Sequence, residues 1–179
     1  VLGIFVHVAD VEPIKQLEME LKAAKEEAER LATHDYLTGL PNRALLQDRI
    51  DEAIARAART RERVYLLGVD VDNFKSVNDT YGHPAGDQFL IEISRRLKSC
   101  VRDYDTVARV GGDEFLVLAA GMTDGVEMVA TRMLESAQQP FHLGEAVLTP
   151  SLSIGAARFP RNGTTRENLI LACDRALYR

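Results

Sequence analysis

The residues best suited to chemistry are the two acids that follow a pair of glycines in Arg109-Val110-Gly111-Gly112-Asp113-Glu114-Phe115. Two glycines form a tight hairpin tip, and a corner without side chains lets a bulky ligand lie against the backbone. Acids on such a corner offer oxygen ligands to a hard cation. A second acidic site, Asp70 and Asp72, stands at the end of the apolar run Val64 to Val71. A carboxylate there is costly to bury unless it meets a cation or a metal. If the hairpin lies beside this run, Asp70 and Asp113 face one gap. Together with phosphate oxygens they suit Mg2+, which takes few protein ligands. Taken singly, Asp70 reads equally as a helix cap and Asp113 as a turn acid. Lys75 is placed to reach a polyphosphate and offset charge moving onto a leaving pyrophosphate; alone it reads more readily as a solvated lysine. Asn78 and Asp87 carry the acceptors that guanine's N1–H and amine require and adenine cannot use. Asp87 also fits the cap of a following helix.

The elements that must position these groups are readable from periodicity. Val64 to Val71 is a nearly continuous apolar run, expected at a sheet centre, and strands over Thr106 to Val110 and Phe115 to Ala119 flank the glycine corner. Pro41 and Asn42 resemble a helix start, with Leu46, Ile50, Ala53, Ile54 and Ala57 on one face. One helix is expected to carry Phe89, Ile93, Leu97 and Val101. Asp124 with Glu127 resembles a capping box for a helix holding Val126, Val129, Ala130, Met133 and Leu134 inward. Phe141 to Thr149 reads as a small hairpin around Gly144, and Ser151 to Ala157 as a strand. Thr164 with Glu167 opens a last helix with Leu169, Cys173, Ala176 and Leu177 inward. The order β-α-β-β-α-β predicts an α+β fold: a ferredoxin-like palm with a mostly antiparallel sheet and helices on one face.

At 179 residues the chain holds one domain with a sizeable core plus an appendage. A net charge of −5 provides no general basic field, which argues against nucleic acid as a partner and leaves any polyphosphate to local cations. Cys100 and Cys173 are far apart and fit buried thiols in a reducing compartment. Val1 to Ala9 reads as a strand, the tail end of an upstream domain. It is too short to span a bilayer and lacks signal-peptide features, so a cytoplasmic location without direct membrane contact is expected; a longer parent chain can still carry an anchor. Ile14, Leu17, Leu21, Ala24, Ala28 and Leu31 alternate spacings of three and four. That pattern serves a parallel two-stranded coiled coil or a single amphipathic helix packed on its own domain.

Several stretches together resemble the GGDEF family of diguanylate cyclases: His34-Asp35-Tyr36-Leu37-Thr38-Gly39-Leu40-Pro41-Asn42-Arg43, Asp70 to Asp87, Arg109 to Phe115, Ser153-Ile154-Gly155 and Asp174-Arg175-Ala176-Leu177-Tyr178. The resemblance covers roughly residues 33–179. It implies a nucleotidyl-cyclase palm that joins two GTP molecules into cyclic di-GMP, using Mg2+ or Mn2+. It implies Asp70, Asp113 and the Val71 carbonyl as metal ligands, and Asp113 or Glu114 assisting deprotonation of the ribose 3′-hydroxyl. Lys75 would stabilise the transition state, Asn78 and Asp87 would read guanine, Phe74 and His83 would lie beside the nucleotide, and Gly111 and Gly112 would let it approach. Because one domain binds one GTP, a homodimer is implied, with residues 13–32 as a coiled-coil signalling helix. Arg102-Asp103-Tyr104-Asp105 matches the family's Arg-x-x-Asp product-inhibition site, with Arg102 and Asp105 as its residues and an ordinary surface ion pair as the alternative. Residues 1–12 look like the end of a PAS domain, although Glu12 stands where that pattern has threonine. The chain also stops at Arg179, before the basic residues that usually follow the Ala-Leu-Tyr stretch, and these are expected to lie beyond it.

Overall fold

The computed structural model describes residues 12–121 and 125–178, and the chain divides into two units, 1–32 and 33–179. The strand expected at Val1 to Ala9 lies outside the described residues. In the first unit, helix α1 (Glu12–Thr33) is held along its surface by charged pairs at i,i+3 and i,i+4: Lys22 with Glu26, Lys25 with Glu29, and Arg30 with Glu27. Its seam residues Ile14, Leu17, Leu21 and Leu31 are each more than half exposed, at 55–70%.

The second unit is built on a four-stranded sheet. Strand β1 (Val64–Val71) lies at its centre between β3 (Glu114–Ala120) and β6 (Leu152–Phe159), and β2 (Thr106–Gly111) borders β3. Every pairing in it is antiparallel. Successive residues of β1 point to opposite faces, and both faces are covered. Tyr65, Leu67, Val69 and Val71 pack with α4 (His83–Ser99) and α5 (Val126–Ala137). Val64 and Leu66 pack with α2 (Arg43–Thr60) and α6 (Arg166–Leu177). Helices on one face only were expected; the continuous apolar run of β1 requires cover on both. Each fully buried Leu or Ile in these layers contributes about 1.5–3 kcal/mol.

Local signals set most boundaries. Asn42 caps α2, its side chain accepting from the Leu45 N–H at 3.1 Å. The single helix expected over Phe89 to Val101 is preceded by another, α3 (Phe74–Tyr81), and ends before Val101. Gly82, at φ 84°, closes α3 through its N–H to the Asn78 carbonyl, and Pro84 sits in the first turn of α4. The hairpin around Gly144 forms as β4 (Phe141–Leu143) and β5 (Ala146–Leu148). Asp124 of the expected capping box lies outside the described residues, and Gly125 holds the N-cap position of α5. The last helix is capped by Thr165, not Thr164, because the Thr165 hydroxyl is the one that reaches the Asn168 N–H. Ala176 is exposed, at the edge of the stripe made by Leu169, Ile170, Cys173 and Leu177.

Helix α6 seats directly on the sheet. A Cβ at Gly155 would strike the Leu177 backbone nitrogen and come within 2.7 Å of the Cys173 carbonyl oxygen. Cys173 Sγ approaches the Leu66 and Gly155 carbonyls at 3.4 and 3.3 Å, and burial pushes its thiol up to about 12. Cys100 and Cys173 are both free and buried, as expected. Among the described residues no helix is long and apolar enough to cross a membrane.

Candidate functional site

The glycine corner forms where β2 meets β3. The ladder shifts register between Arg109 and Gly111, and Gly111 and Gly112 adopt φ of 155° and 49°, conformations that side chains disfavour. No protein atom lies within 4 Å of where a Cβ would sit on either glycine, so the corner is open. The hairpin lies beside the end of β1, as expected. The Val71 N–H donates to the Asp113 carbonyl at 3.3 Å, and Asp70 pairs across the ladders with Glu114 and Ser153. Asp70 lies within β1 and Asn73 holds the N-cap position of α3, so Asp70 is not a helix cap. Asp72 is tied to β6 instead, accepting from Ser153 Oγ at 2.7 Å.

These acids crowd one another. Burial, then the charges of Asp113, Glu114 and Asp72, push the Asp70 carboxyl above its ordinary value. Among the described residues, no group of three or more His, Cys, Asp or Glu side chains is arranged to hold a metal by itself. Two carboxylates and a backbone carbonyl are nevertheless a donor set of hard oxygens that fits Mg2+ or Mn2+, which fill their remaining positions from phosphate and water. Tyr178, just past α6, approaches Glu114 Oε1 at 3.5 Å, and the charge of Glu114 raises its phenol.

On the other flank, α3 and α4 converge. Gly86 provides the room: a Cβ there would overlap Asn78 Oδ1 and press on the Phe74 ring at 3.3 Å. Asn78 is thereby held against the turn of α4 that bears Asp87, and Phe74 stacks on Phe89 with centroids 6.3 Å apart. His83 opens α4 and Lys75 stands in the first turn of α3, both exposed. Asp87 lies inside α4 and caps nothing.

The sequence reading assigned no role to the clamp behind the hairpin. Arg109 donates from Nε and Nη2 to the Gly112 carbonyl at 2.9 and 2.7 Å, and from Nη1 to both Asp35 oxygens at 3.0 and 3.2 Å. Asp35 also accepts from the Thr38 amide and hydroxyl at 2.9 and 2.6 Å. Burial raises the Asp35 carboxyl, but the bonds from Thr38 and Arg109 outweigh it and hold the group below its ordinary value. Arg43 donates to the Val110 carbonyl at 3.2 Å, and the Arg109 N–H donates to the Pro41 carbonyl at 3.0 Å. The segment 34–43 thus grips the root of the hairpin.

Arg102 and Asp105 lie at the opposite end of β2, about 20 Å away at 3.3 Å per residue. They are the ends of one β-turn, closed by Asp105 N–H to the Arg102 carbonyl at 3.0 Å and by Arg102 N–H to Asp105 Oδ2 at 3.1 Å. The turn brings the two residues side by side. A cleft of about 300 Å³ adjoins them, lined also by His34, Arg49 and Lys98.

A family model described as "Diguanylate cyclase, GGDEF domain" matches residues 32–179. The chain belongs to the GGDEF family. It is 42% identical over 163 residues to the bifunctional diguanylate cyclase/cyclic di-GMP phosphodiesterase MucR of Pseudomonas aeruginosa, covering 90% of this chain and 24% of MucR. The chain therefore spans about a quarter of that relative. Among solved structures, the GGDEF domain of TpbB from the same species superposes with a TM-score of 0.78 at 40% identity, over 81% of this chain and 86% of that one. The coiled coil and GGDEF domain of DgcB from Caulobacter crescentus, in complex with c-di-GMP, gives a TM-score of 0.78 at 27% identity, over 93% and 90% of the two chains. The antiparallel GGDEF palm flanked by helices, preceded by a helix, is the fold of this chain.

Proposed function

We propose that this chain is the catalytic part of a diguanylate cyclase, condensing two GTP molecules into cyclic di-GMP and two pyrophosphates. The observation that carries the reading is the end of β1 joined to the glycine corner, with Asp70, Asp113 and Glu114 crowded together there. Asp70, Asp113 and the Val71 carbonyl hold Mg2+ or Mn2+ with the nucleotide's phosphates. That ion supplies charge neutralisation at the α-phosphate and a more acidic 3′-hydroxyl. Asp113 or Glu114 takes the proton from the ribose 3′-hydroxyl, whose oxygen bonds to the α-phosphorus of the facing GTP as the bond to pyrophosphate breaks. Lys75 offsets the charge gathering on the leaving group. Asn78 and Asp87 read the guanine edge, Phe74 and His83 flank the nucleotide, and Gly111 and Gly112 let it lie on the corner.

One domain offers one such site, so two copies must face each other. The exposed seam of α1 supports a homodimer joined by a coiled coil over residues 13–32, with a PAS-like sensor remnant at 1–12 passing its signal down that helix. The turn holding Arg102 and Asp105 supports product inhibition by cyclic di-GMP. The work is done in the cytoplasm, without nucleic acid and without direct membrane contact by this stretch.

A second reading has one observation in its favour. The name of MucR joins synthesis and breakdown in a chain about four times longer, so a GGDEF domain of this kind can accompany a phosphodiesterase, and a silent domain could regulate such a neighbour by binding GTP or cyclic di-GMP. Incubation with GTP and Mg2+ separates the two. Cyclic di-GMP formation that disappears in Asp113→Ala is expected; tight GTP binding without turnover points to the silent module.

A further inference from the structure

The turn that pairs Arg102 with Asp105 contains a third group with a part to play. Tyr104, at its third position, is 67% exposed, yet its hydroxyl meets Arg102 Nη1 at 2.6 Å. The same guanidinium lies 5.8 Å from the centre of the Tyr104 ring. Arg102 is therefore held twice by one neighbour, through a charge-assisted hydrogen bond and through the ring face. Tyr104 lines the cleft of about 290 Å³ that also takes in Arg49, Glu52 and Arg56. Arg102 and Asp105 line the adjoining cleft of about 300 Å³.

Asp105 shows the other half of the arrangement. Its Oδ2 accepts from the Arg102 N–H at 3.1 Å. Burial also pushes the Asp105 carboxyl up, and the nearby Arg102 does not offset that. Asp105 is tied into the turn through Oδ2, and the Arg102 guanidinium is engaged by Tyr104.

We infer that Tyr104 occupies Arg102 in the ligand-free chain and so weakens capture of a guanine dinucleotide at the Arg102–Asp105 pair. This rests on the reading of that pair as the product-inhibition site. A dinucleotide that stacks on or is clasped by the guanidinium must first displace the phenol, and its apparent affinity falls by the fraction of time Arg102 is engaged. An exposed cation–ring contact corresponds to about a two- to fivefold effect on an equilibrium.

The test is calorimetric titration of cyclic di-GMP into the whole chain and three variants. Tyr104→Ala is expected to bind about two- to fivefold more tightly than the native chain, Tyr104→Phe to fall between them, and Arg102→Ala to lose binding. If Arg102→Ala loses binding while Tyr104→Ala binds equally or more weakly, the product site stands and the role of Tyr104 is overturned. If Arg102→Ala binds as the native chain does, the product site itself fails and the inference with it. Tyr104 is exposed, so circular dichroism of all three variants is expected to match the native chain.

Discussion

Gly86 shows how much one missing side chain decides. Its bare Cα lets Asn78 rest on the turn of α4 that carries Asp87, which is the juxtaposition the proposed guanine recognition uses. Gly86→Ala is expected to swing the Asn78 amide away while leaving the helix intact. Losing one hydrogen bond of about 1.4 kcal/mol raises KM for GTP about tenfold, with the melting temperature little changed; steady-state kinetics beside thermal unfolding checks both halves. The meeting of the Asp70 strand end with the Gly111 to Asp113 corner was legible, because an acid at the end of an apolar strand and a glycine pair followed by acids both stand out in the sequence. The clamp of Arg109 on Asp35 was not, because the two are 74 positions apart and meet only once β2 has paired. Neither residue is unusual where it stands in the chain.

Between elements, buried polar ties fix the angles at which helices meet the sheet. Arg96 lies almost fully buried at the end of α4 and donates to the Ala137 carbonyl at 2.8 Å, the Pro140 carbonyl at 3.0 Å and the Gln139 carbonyl. It thereby caps the C-terminus of α5 from another helix. Arg96→Met leaves those carbonyls without a donor and Glu92 without one of its two partners, and is expected to cost about 3 kcal/mol in urea unfolding. Glu92 accepts from both Arg95 and Arg96. The Arg95 bond leads in lowering its carboxyl, against burial and with help from Arg96, from 4.5 to about 2. A group with a depressed folded value stabilises the fold above its unfolded value, and that contribution disappears as pH falls toward the folded one. The melting-temperature gap between the native chain and Glu92→Gln is therefore full at pH 6 and closes between pH 4.5 and about 2. Gly155→Ala drives a Cβ into the backbone of α6 and is expected to cost about 1–3 kcal/mol. Apolar periodicity announced α2, α4, α5 and α6 because each buries one stripe. It passed over α3, which has no fully buried residue to mark it. Cover on the second face of the sheet was not expected, although the apolar run of β1, with no polar alternation, is the one signal that called for it.

For the whole molecule, the proposed reaction needs two sites. On that proposal one corner holds one nucleotide and a second copy supplies the other, so activity is expected to rise more steeply than linearly with protein concentration below the dimerisation constant. Leu17→Glu with Leu21→Glu places acids on an exposed seam that two copies would have to bury. Sedimentation is expected to show monomers, with the rate of cyclic di-GMP formation at micromolar protein falling at least about tenfold. An unchanged concentration dependence would set the seam aside as the route to pairing. The heptad was legible as spacing, whereas its occupant was not, because the same stripe of Ile and Leu serves any apolar partner. The central claim concerns the gap between β1 and the glycine corner, and diffraction from crystals soaked with Mn2+ and a non-hydrolysable GTP analogue tests it most directly. The account predicts an anomalous peak bridging the Asp70 and Asp113 carboxylates and the phosphates, with metal–oxygen distances of about 2.1 Å as for Mg2+. Nucleotide bound with the ion elsewhere, or with neither carboxylate in contact with it, would contradict the account.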